Sequence, residues 1–376
     1  MRGRIDRQGE IFHTFDFQSL VPANHPLRSV KARADHVLAK MSRRFNRAYR
    51  QTGRKSIPPE RLIKALLLQA LYSIRSEIQL CEQISYNMLY RWFLDMTPSE
   101  VVWTPEVFTM NRKRFDKHGF VRDFFDRIVH GAILEGLVSE DHFSVDGTLI
   151  QSFASMKSLR PIGTDDEKVS DGADDDDTGN PTVSFRNEKR SNKTHRSIVD
   201  SQARLARKGK GKPALLSHSA HVLMENRNGL CLDVGVDEAN GYAERIQSTA
   251  MLDHVYRRHG LWPRTLGADA GYRDGAYLDA LEQFGIEPHV PIGDGPIRGV
   301  DNGAAARRRA RRRQRTKGYQ VSQRIRKRVE EIFGWCKTVG GLARCRFVGR
   351  WKFKQQSEVA AAAYNLLRMA RLAPMV

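Results

Sequence analysis

The chain of 376 residues carries 63 Lys+Arg against 43 Asp+Glu, a formal net charge of +20. Clustered Lys and Arg gain free energy by releasing counterions condensed on a phosphate backbone, so a polyanion is the expected partner. No basic amphipathic helix or lipid signal points to a membrane surface, and no stretch approaches the roughly 20 apolar residues of a membrane span.

The opening "MRGRIDRQGEIFHTFDF" lacks the apolar run of a secretory signal. Cys81, Cys231, Cys336 and Cys345 are scattered without a CxxC pair, which argues against a zinc or redox motif. A soluble protein of the reducing cytoplasm is expected. At 40% hydrophobic residues the chain can bury a core, and its length suits two domains or one with a large insertion.

From about residue 57 to 117 the period is helical. In "PPERLIKALLLQALYSIRSE" the prolines suit a first helical turn, and Leu62, Ala65, Leu66, Gln69, Ala70 and Ile74 recur at three-to-four spacing. Ser76 and Gln79 have capping-box spacing and open a second helix, "EIQLCEQISYNMLYRWF", with Ile78, Cys81, Ile84 and Leu89 as its apolar contacts. "TPEVFTMNRKRFDKHG" reads as a third, capped by Thr104, with Pro105 first and Gly119 as the stop. This last helix carries Asn111, Arg112, Lys113, Arg114 and Lys117. It suits a helix presented to a DNA groove, with Arg112, Arg114 and Lys117 as contacts, or a bundle whose charged faces are solvated; helix count alone does not decide.

"HFSVDGTLI" alternates like a strand. "TDDEKVSDGADDDDTGNP" follows, acidic and nearly free of large apolar residues, and predicts a mobile excursion. "FRNEKRSNKTHRS" and "RLARKGKGKP" are basic, and either track phosphates or are plain surface. Leu230, Leu232, Val234 and Val236 then share one strand face after the hairpin signal "NRNG". A helix over about 241–259, a short strand in "TLGADAGY", a helix near 275–284 and a strand "IEPHVP" complete a mixed sheet flanked by helices, an α/β layered domain.

"RRRARRRQRTKG", 307–318, holds like charges that repel, so disorder is expected until a polyanion binds. In "RIRKRVEEIFGWCK", 324–337, about 100° per residue puts Ile325, Val329, Ile332, Phe333 and Cys336 on one core-facing arc. Glu330 flanks that arc, with Arg326 and Lys337 projecting near it, whereas Glu331 points nearly away into solvent. Trp335 either packs, the favoured reading, or stacks on an extruded base. By itself, a Glu between Arg and Lys is an ordinary surface ion pair.

Asp146 in its strand and Asp269 in "GADAGY" change that reading. Carboxylates at strand ends of an open α/β sheet project into its usual ligand crevice. Side by side they repel at pH 7 and call for a hard cation, Mg²⁺ with Mn²⁺ as a substitute. Two such ions about 4 Å apart would stabilise both the attacking and leaving oxygens of an in-line displacement at phosphorus. With a basic surface, this predicts phosphodiester chemistry on DNA or RNA, with Arg326 and Lys337 holding a phosphate. Asp274 reads instead as a helix cap and Asp233 as a residue on a hairpin face.

Arg326, Glu330 and Lys337 together meet the string R-xxx-E-xxxxxx-K, which resembles the signature of bacterial insertion-sequence transposases of the DDE type, in the insertion-sequence-five branch. "PPERLIKALLLQALYSIRSEIQLCEQISYNMLYRWF" is similar to that family's N-terminal domain, "FSVDGTLIQSFASMKS" and "ADAGY" to its two aspartate strands, and "RKGKGKPALLSHSAHVLMENRNGL" and "AAAAYNLLRMARL" to further blocks. The resemblance spans most of residues 10 to 373. It implies an all-α DNA-binding domain over 1–125 and an α/β, RNase H-like catalytic domain with a mixed sheet over 126–376, with an insertion at about 155–215 and a basic loop at about 293–320. It also implies that Asp146, Asp269 and Glu330 bind two Mg²⁺ ions. The mechanism it implies has water attack a phosphodiester at the transposon end, after which the freed 3′-hydroxyl attacks target DNA. The partner it implies is double-stranded DNA, both terminal inverted repeats and target, and a dimer on DNA at the bacterial nucleoid is expected, since pairing two ends needs two active sites. No activated Ser or Tyr nucleophile stands out, in keeping with a route without a covalent intermediate.

One departure is Gln323, where the signature has a Tyr whose DNA contact is either lost or moved to Tyr319. A decayed or domesticated DNA-binding protein and a plain metal nuclease are the other readings; an inactivated copy would often lack one of the three acids, and none is missing.

Overall fold

The structure is a computed structural model that describes residues 16–49, 56–162, 182–185, 188–209, 211–240 and 243–374. The acidic run at 164–181 lies outside them. Among the described residues the chain opens with helices α1 (Phe17–Leu20), α2 (Pro26–Ala48), α3 (Pro59–Leu71), α4 (Glu77–Tyr86), α5 (Met88–Phe93), α6 (Glu106–His118) and α7 (Phe120–Leu134). Ser76 caps α4 by accepting from Gln79 N at 3.0 Å, as its spacing predicts. The helix expected to continue through residue 93 is instead broken at Asn87, whose side chain accepts from Leu89 N and Tyr90 N and starts α5. Ile78, expected in the core, is exposed. Gly119 stops α6 in the left-handed region, φ +60°, which glycine enters without Cβ strain. α2 and α7 add to the helices read from sequence, although Val30, Ala34, Val37, Met41 and Phe45 line one buried face of α2. Lys64 of α3, 2% exposed, ties this region together by ion-pairing with Asp35 at 2.8 Å and with Asp95.

The sheet follows: β1 (His142–Gln151), then an insertion holding β2 (Leu159–Pro161), β3 (Val183–Phe185), β4 (Glu188–Arg190), β5 (His195–Ser197) and β6 (Arg204–Arg207), then β7 (Ala214–Glu225) and β8 (Leu230–Glu238). Helix α8 (Ala243–His259) leads to β9 (Thr265–Gly267), and α9 (Gly275–Gln283) to β10 (Glu287–His289). β1 is antiparallel to β7 and β7 to β8, while β9 is parallel to β1 and β10 to β9. The order β8-β7-β1-β9-β10 is third, second, first, fourth, fifth among the principal strands, which is the RNase H-like arrangement expected of the α/β region. The insertion has its own small core of Ala154, Leu159, Ala203, Leu205 and Leu216. It is pinned to the sheet by buried Asp200, which accepts from Ser152 Oγ at 2.8 Å and lies 2.9 Å from His218.

Four helices complete the chain: α10 (Asn302–Arg313), α11 (Lys317–Arg326), α12 (Arg328–Thr338) and α13 (Arg350–Leu372). The arginine run expected to be disordered forms most of α10. Its charges are met within the fold: Arg309 pairs with Glu282 and Asp279, Arg313 with Glu282, and Arg308 and Arg311 donate to carbonyls of residues 293–299. α13 is buried along most of its length between the N-terminal helices and β8. Asn365 satisfies the main chain of Cys231 on β8, accepting from its N–H at 2.9 Å and donating to its carbonyl at 2.7 Å. One hydrophobic cluster runs from Val21 to Ala370.

Candidate active site

Register brings the two aspartates level. The parallel β1–β9 ladder ends with Ser144 opposite Gly267, and Asp146 and Asp269 each lie two residues further along. Side chains two apart on a strand share a face, and neighbouring strands are about 4.8 Å apart. Asp146 accepts from Gly147 N at 2.8 Å, and its other oxygen lies 3.4 Å from Arg326 Nη1. Asp269 accepts from Gly271 N at 2.8 Å and so opens a single 3₁₀ turn, Ala270–Tyr272.

Across this face lies α12. Val329, Ile332 and Cys336 are buried against the sheet as the arc predicts, with Ile325 and Phe333 half-buried. Glu330 is in the first turn of α12, and its charge acts on Asp146. Lys337 donates to Thr148 Oγ1 at 2.6 Å, two residues beyond Asp146 on the same strand face. Burial, then the nearby charge of Lys208, pushes the Lys337 pKa down. The continuous helix expected over 324–337 is broken at Lys327, although no Gly or Pro marks the spot. Two anchors account for it: α11 docks Tyr319 and Ser322 on His289 and His142, while α12 docks its apolar arc on the sheet. Glu331 points away, as expected, but pairs with Arg368 of α13 at 3.6 Å instead of standing free in solvent.

The pKa of Asp146 is pushed up to about 6. Burial is the main cause; the Gly147 N–H and Arg326 oppose it, and the charges of Asp269 and Glu330 add to it. Among the described residues no three His, Cys, Asp or Glu side chains stand close enough to close around a metal ion. The donors are nevertheless all carboxylate oxygens whose mutual repulsion a cation would relieve, so the residues suit a hard divalent ion.

Sequence reading missed three groups here. Glu244, in the first turn of α8, has its pKa raised to about 7 by burial, then by Asp269 and Asp146. Tyr272 and His221 are both fully buried beside it. No motif marks Glu244, and although Tyr272 closes the string "ADAGY" and His221 lies in a quoted block, only the strand register and the seat of α8 bring the three together.

Of the other candidates, Arg112 pairs with Glu77 and lies over the Phe347 ring at 4.0 Å, and Arg114 covers Tyr49 at 4.4 Å and donates to Asn111 at 2.8 Å. Both are half-buried in the fold, whereas Lys113 and Lys117 are exposed. Gln323 donates to the His289 carbonyl at 2.6 Å, and Tyr319 is buried. Trp335 packs edge-on against Tyr364, 5.7 Å between centroids. Asp274 caps α9 by accepting from Tyr277 N at 3.0 Å. Asp233 is more than a hairpin-face residue: it is buried and lies 2.6 Å from Arg122 and 3.1 Å from His254.

A family model described as a transposase domain (DUF772) matches residues 15–114, and one described as a transposase DDE domain matches residues 183–366, a span that includes Asp269 and Glu330. No curated protein matches the chain. Two solved structures are similar at 14% identity: the Mos1 strand transfer complex, covering 87% of this chain and 99% of that one with a TM-score of 0.20, and the Mos1 transposase paired-end complex with left transposon end, covering 90% and 98% with a TM-score of 0.21. Among the described residues no helix is long and apolar enough to cross a membrane.

Proposed function

The chain belongs to the DDE transposases, and from that premise we propose that it cleaves DNA at the ends of an insertion sequence of the insertion-sequence-five type and joins the freed strands to target DNA. The observation that carries the reading is the β1–β9 register, which sets Asp146 beside Asp269 while Glu330 acts on Asp146 from α12. The family uses divalent metal ions. Two Mg²⁺ ions, or Mn²⁺ in their place, held by Asp146, Asp269 and Glu330, would polarise the scissile phosphodiester and activate the attacking oxygen.

The chain's own residues bind and orient. Arg326 offers its guanidinium beside Asp146, and Lys337 its ammonium at Thr148, so that a phosphate entering the site meets two cations. Arg312, Arg315, Lys317, Arg324 and Lys327 expose their side chains along α10, α11 and the turn before α12, a track for a duplex backbone leading to Glu330. Lys117, with Lys113 next to it on α6, offers a second contact; Arg112 and Arg114 would reach DNA only by leaving their internal partners. Pairing two transposon ends requires two such sites, hence a dimer on DNA in the bacterial cytoplasm.

The test places a selectable marker between the DNA ends that flank the gene, supplies the protein separately, and counts marker transfer. Transfer is expected with wild type and Glu331→Gln and not with Asp146→Asn, Asp269→Asn or Glu330→Gln at equal protein levels. Specific end binding with no transfer by wild type would mean a decayed, DNA-binding copy. Cut ends that are never joined would mean a nuclease.

A further inference from the structure

Cross-strand partners Gly147, His221 and Gly235 line one face of the sheet, and Asp146, Val222 and Val234 the other. α12 lies over the second face, near Thr148, Val222 and Val234. α8 lies over the first: a Cβ at Gly235 would meet Gln247, and one at Gly147 would stand 3.3 Å from Glu244 Oε1. The second oxygen of Glu244 would be 2.9 Å from a Cβ at Gly271, which would also stand 3.0 Å from Asp269 Oδ1. Two missing side chains, one residue after Asp146 and two after Asp269, therefore leave the space into which Glu244 reaches. Among the described residues Glu244 makes no hydrogen bond or ion pair.

A separate observation points to a bound group. Tyr272 is 0% exposed, and among the described residues its hydroxyl has no hydrogen-bond partner, although it lies within the field of Glu244, Asp146 and Asp269. A buried hydroxyl left unpaired loses its hydration without a protein partner in return. His221, also fully buried, leaves Nδ1 unpaired against the space beside Gly147 that Glu244 shares. An unpaired hydroxyl and an unpaired ring nitrogen beside three carboxylates, of which Asp146 alone has a cation at ion-pair distance, suit a hydrated cation. The ion meets the carboxylates and its water meets the hydroxyl.

We propose that Glu244 is a fourth carboxylate of the active site, holding a hydrated divalent cation together with Asp146 and Asp269 from the α8 side of the sheet. This rests on the reading of Asp146 and Asp269 as metal-binding. Tyr272 orders the ion's water, and Gly147 and Gly271 are small because the Glu244 carboxylate must pass them.

The test is Mn²⁺ binding to the purified full-length protein without DNA, followed by calorimetry and by the electron paramagnetic resonance of free Mn²⁺. Glu244→Gln should weaken binding at least tenfold, as should Asp146→Asn, with circular dichroism unchanged and Glu331→Gln equal to wild type. Gly271→Ala, whose methyl would displace the Glu244 and Asp269 oxygens, should also weaken binding and serves if Glu244→Gln fails to fold. Wild-type affinity in Glu244→Gln, or in Gly271→Ala where the first variant is unfolded, with weakened binding in Asp146→Asn, overturns the role of Glu244 and leaves the three-acid reading standing. No Mn²⁺ binding by wild type, or none lost in Asp146→Asn, removes both.

Discussion

Arg326 lies 3.4 Å from Asp146, so the first basic residue of the R-xxx-E-xxxxxx-K string is tied across 180 positions of sequence to the first acid of the site. The pair places a cation where a phosphate would enter. Arg326→Ala should slow cleavage of an oligonucleotide carrying the transposon end by roughly 10²–10³-fold, the usual cost of removing one donor aimed at developing charge. Binding to a distant, non-scissile segment should change little. An unchanged cleavage rate would return Arg326 to the role of a structural ion pair.

Glu330 and Glu331 are neighbours in α12 with different partners. Glu331 is 56% exposed at its side chain and meets only Arg368, at 3.6 Å, so Glu331→Gln should cost under about 1 kcal/mol in urea denaturation and leave cleavage intact. Glu330→Gln should abolish cleavage without loss of folding. Equal effects from the two variants would refute the assignment.

The N-terminal helices and the sheet meet at a buried charge cluster. Arg122 of α7 lies 2.9 Å from Asp126 and 2.6 Å from Asp233, both carboxylates almost wholly enclosed. Arg122→Met should destabilise the protein by up to roughly 3–5 kcal/mol, because it leaves Asp233 with only His254 and Asp126 with only Arg258 and the more distant His254 as charge partners. The denaturation midpoint reads this directly.

Glu358 of α13 joins the same cluster, 3.9 Å from Arg122. Burial pushes its pKa up to about 7, with Arg122 and Lys354 opposing and Asp233 and Asp126 adding to the rise. The folded state thus holds a proton that the unfolded state releases near 4.5. Its contribution is full below about pH 4.5 and is lost as pH rises through about 7, a fall on the order of 3 kcal/mol. Glu358→Gln should flatten that limb of the stability profile, and an unchanged slope would show that Glu358 does not titrate there.

Glu282 of α9 accepts from both Arg309 and Arg313. Glu282→Ala should loosen these two guanidiniums, leaving Arg309 only Asp279 at 3.2 Å and Arg313 only Glu287 at 3.4 Å as acidic partners, hasten tryptic cleavage within α10, and steepen the salt dependence of non-specific DNA binding by up to about two counterions. The same slope as wild type would mean that α10 does not meet DNA.

What could be read in advance was local. The alternation of Phe143 and Val145, the "NRNG" turn and the apolar arc of Val329, Ile332 and Cys336 encode their elements within a few residues, and each formed. That Asp146 and Asp269 would share a site was implied by the resemblance and not by the elements, whose order along the chain leaves the strand order open; the β1–β9 register sets them level. Other features depend on distant partners. The arginines of α10 are helical because Asp279 and Glu282 meet them, Lys327 ends a helix because two docking surfaces differ, and Glu244 arrives through glycines on two other elements. A pattern within one window contains none of that information.

The position of α13 bears on how the molecule is made. Its residues Ala360–Ala363 are shut between α2, α3, α7 and the edge strand β8, so the helices synthesised first cannot reach their packed state until the ribosome has delivered a segment more than 200 residues later. Final packing of the N-terminal region is therefore expected to follow synthesis of α13. A copy of the gene interrupted before α13 would yield a chain for proteolysis, not a shortened DNA-binding protein able to compete with the intact enzyme for its ends.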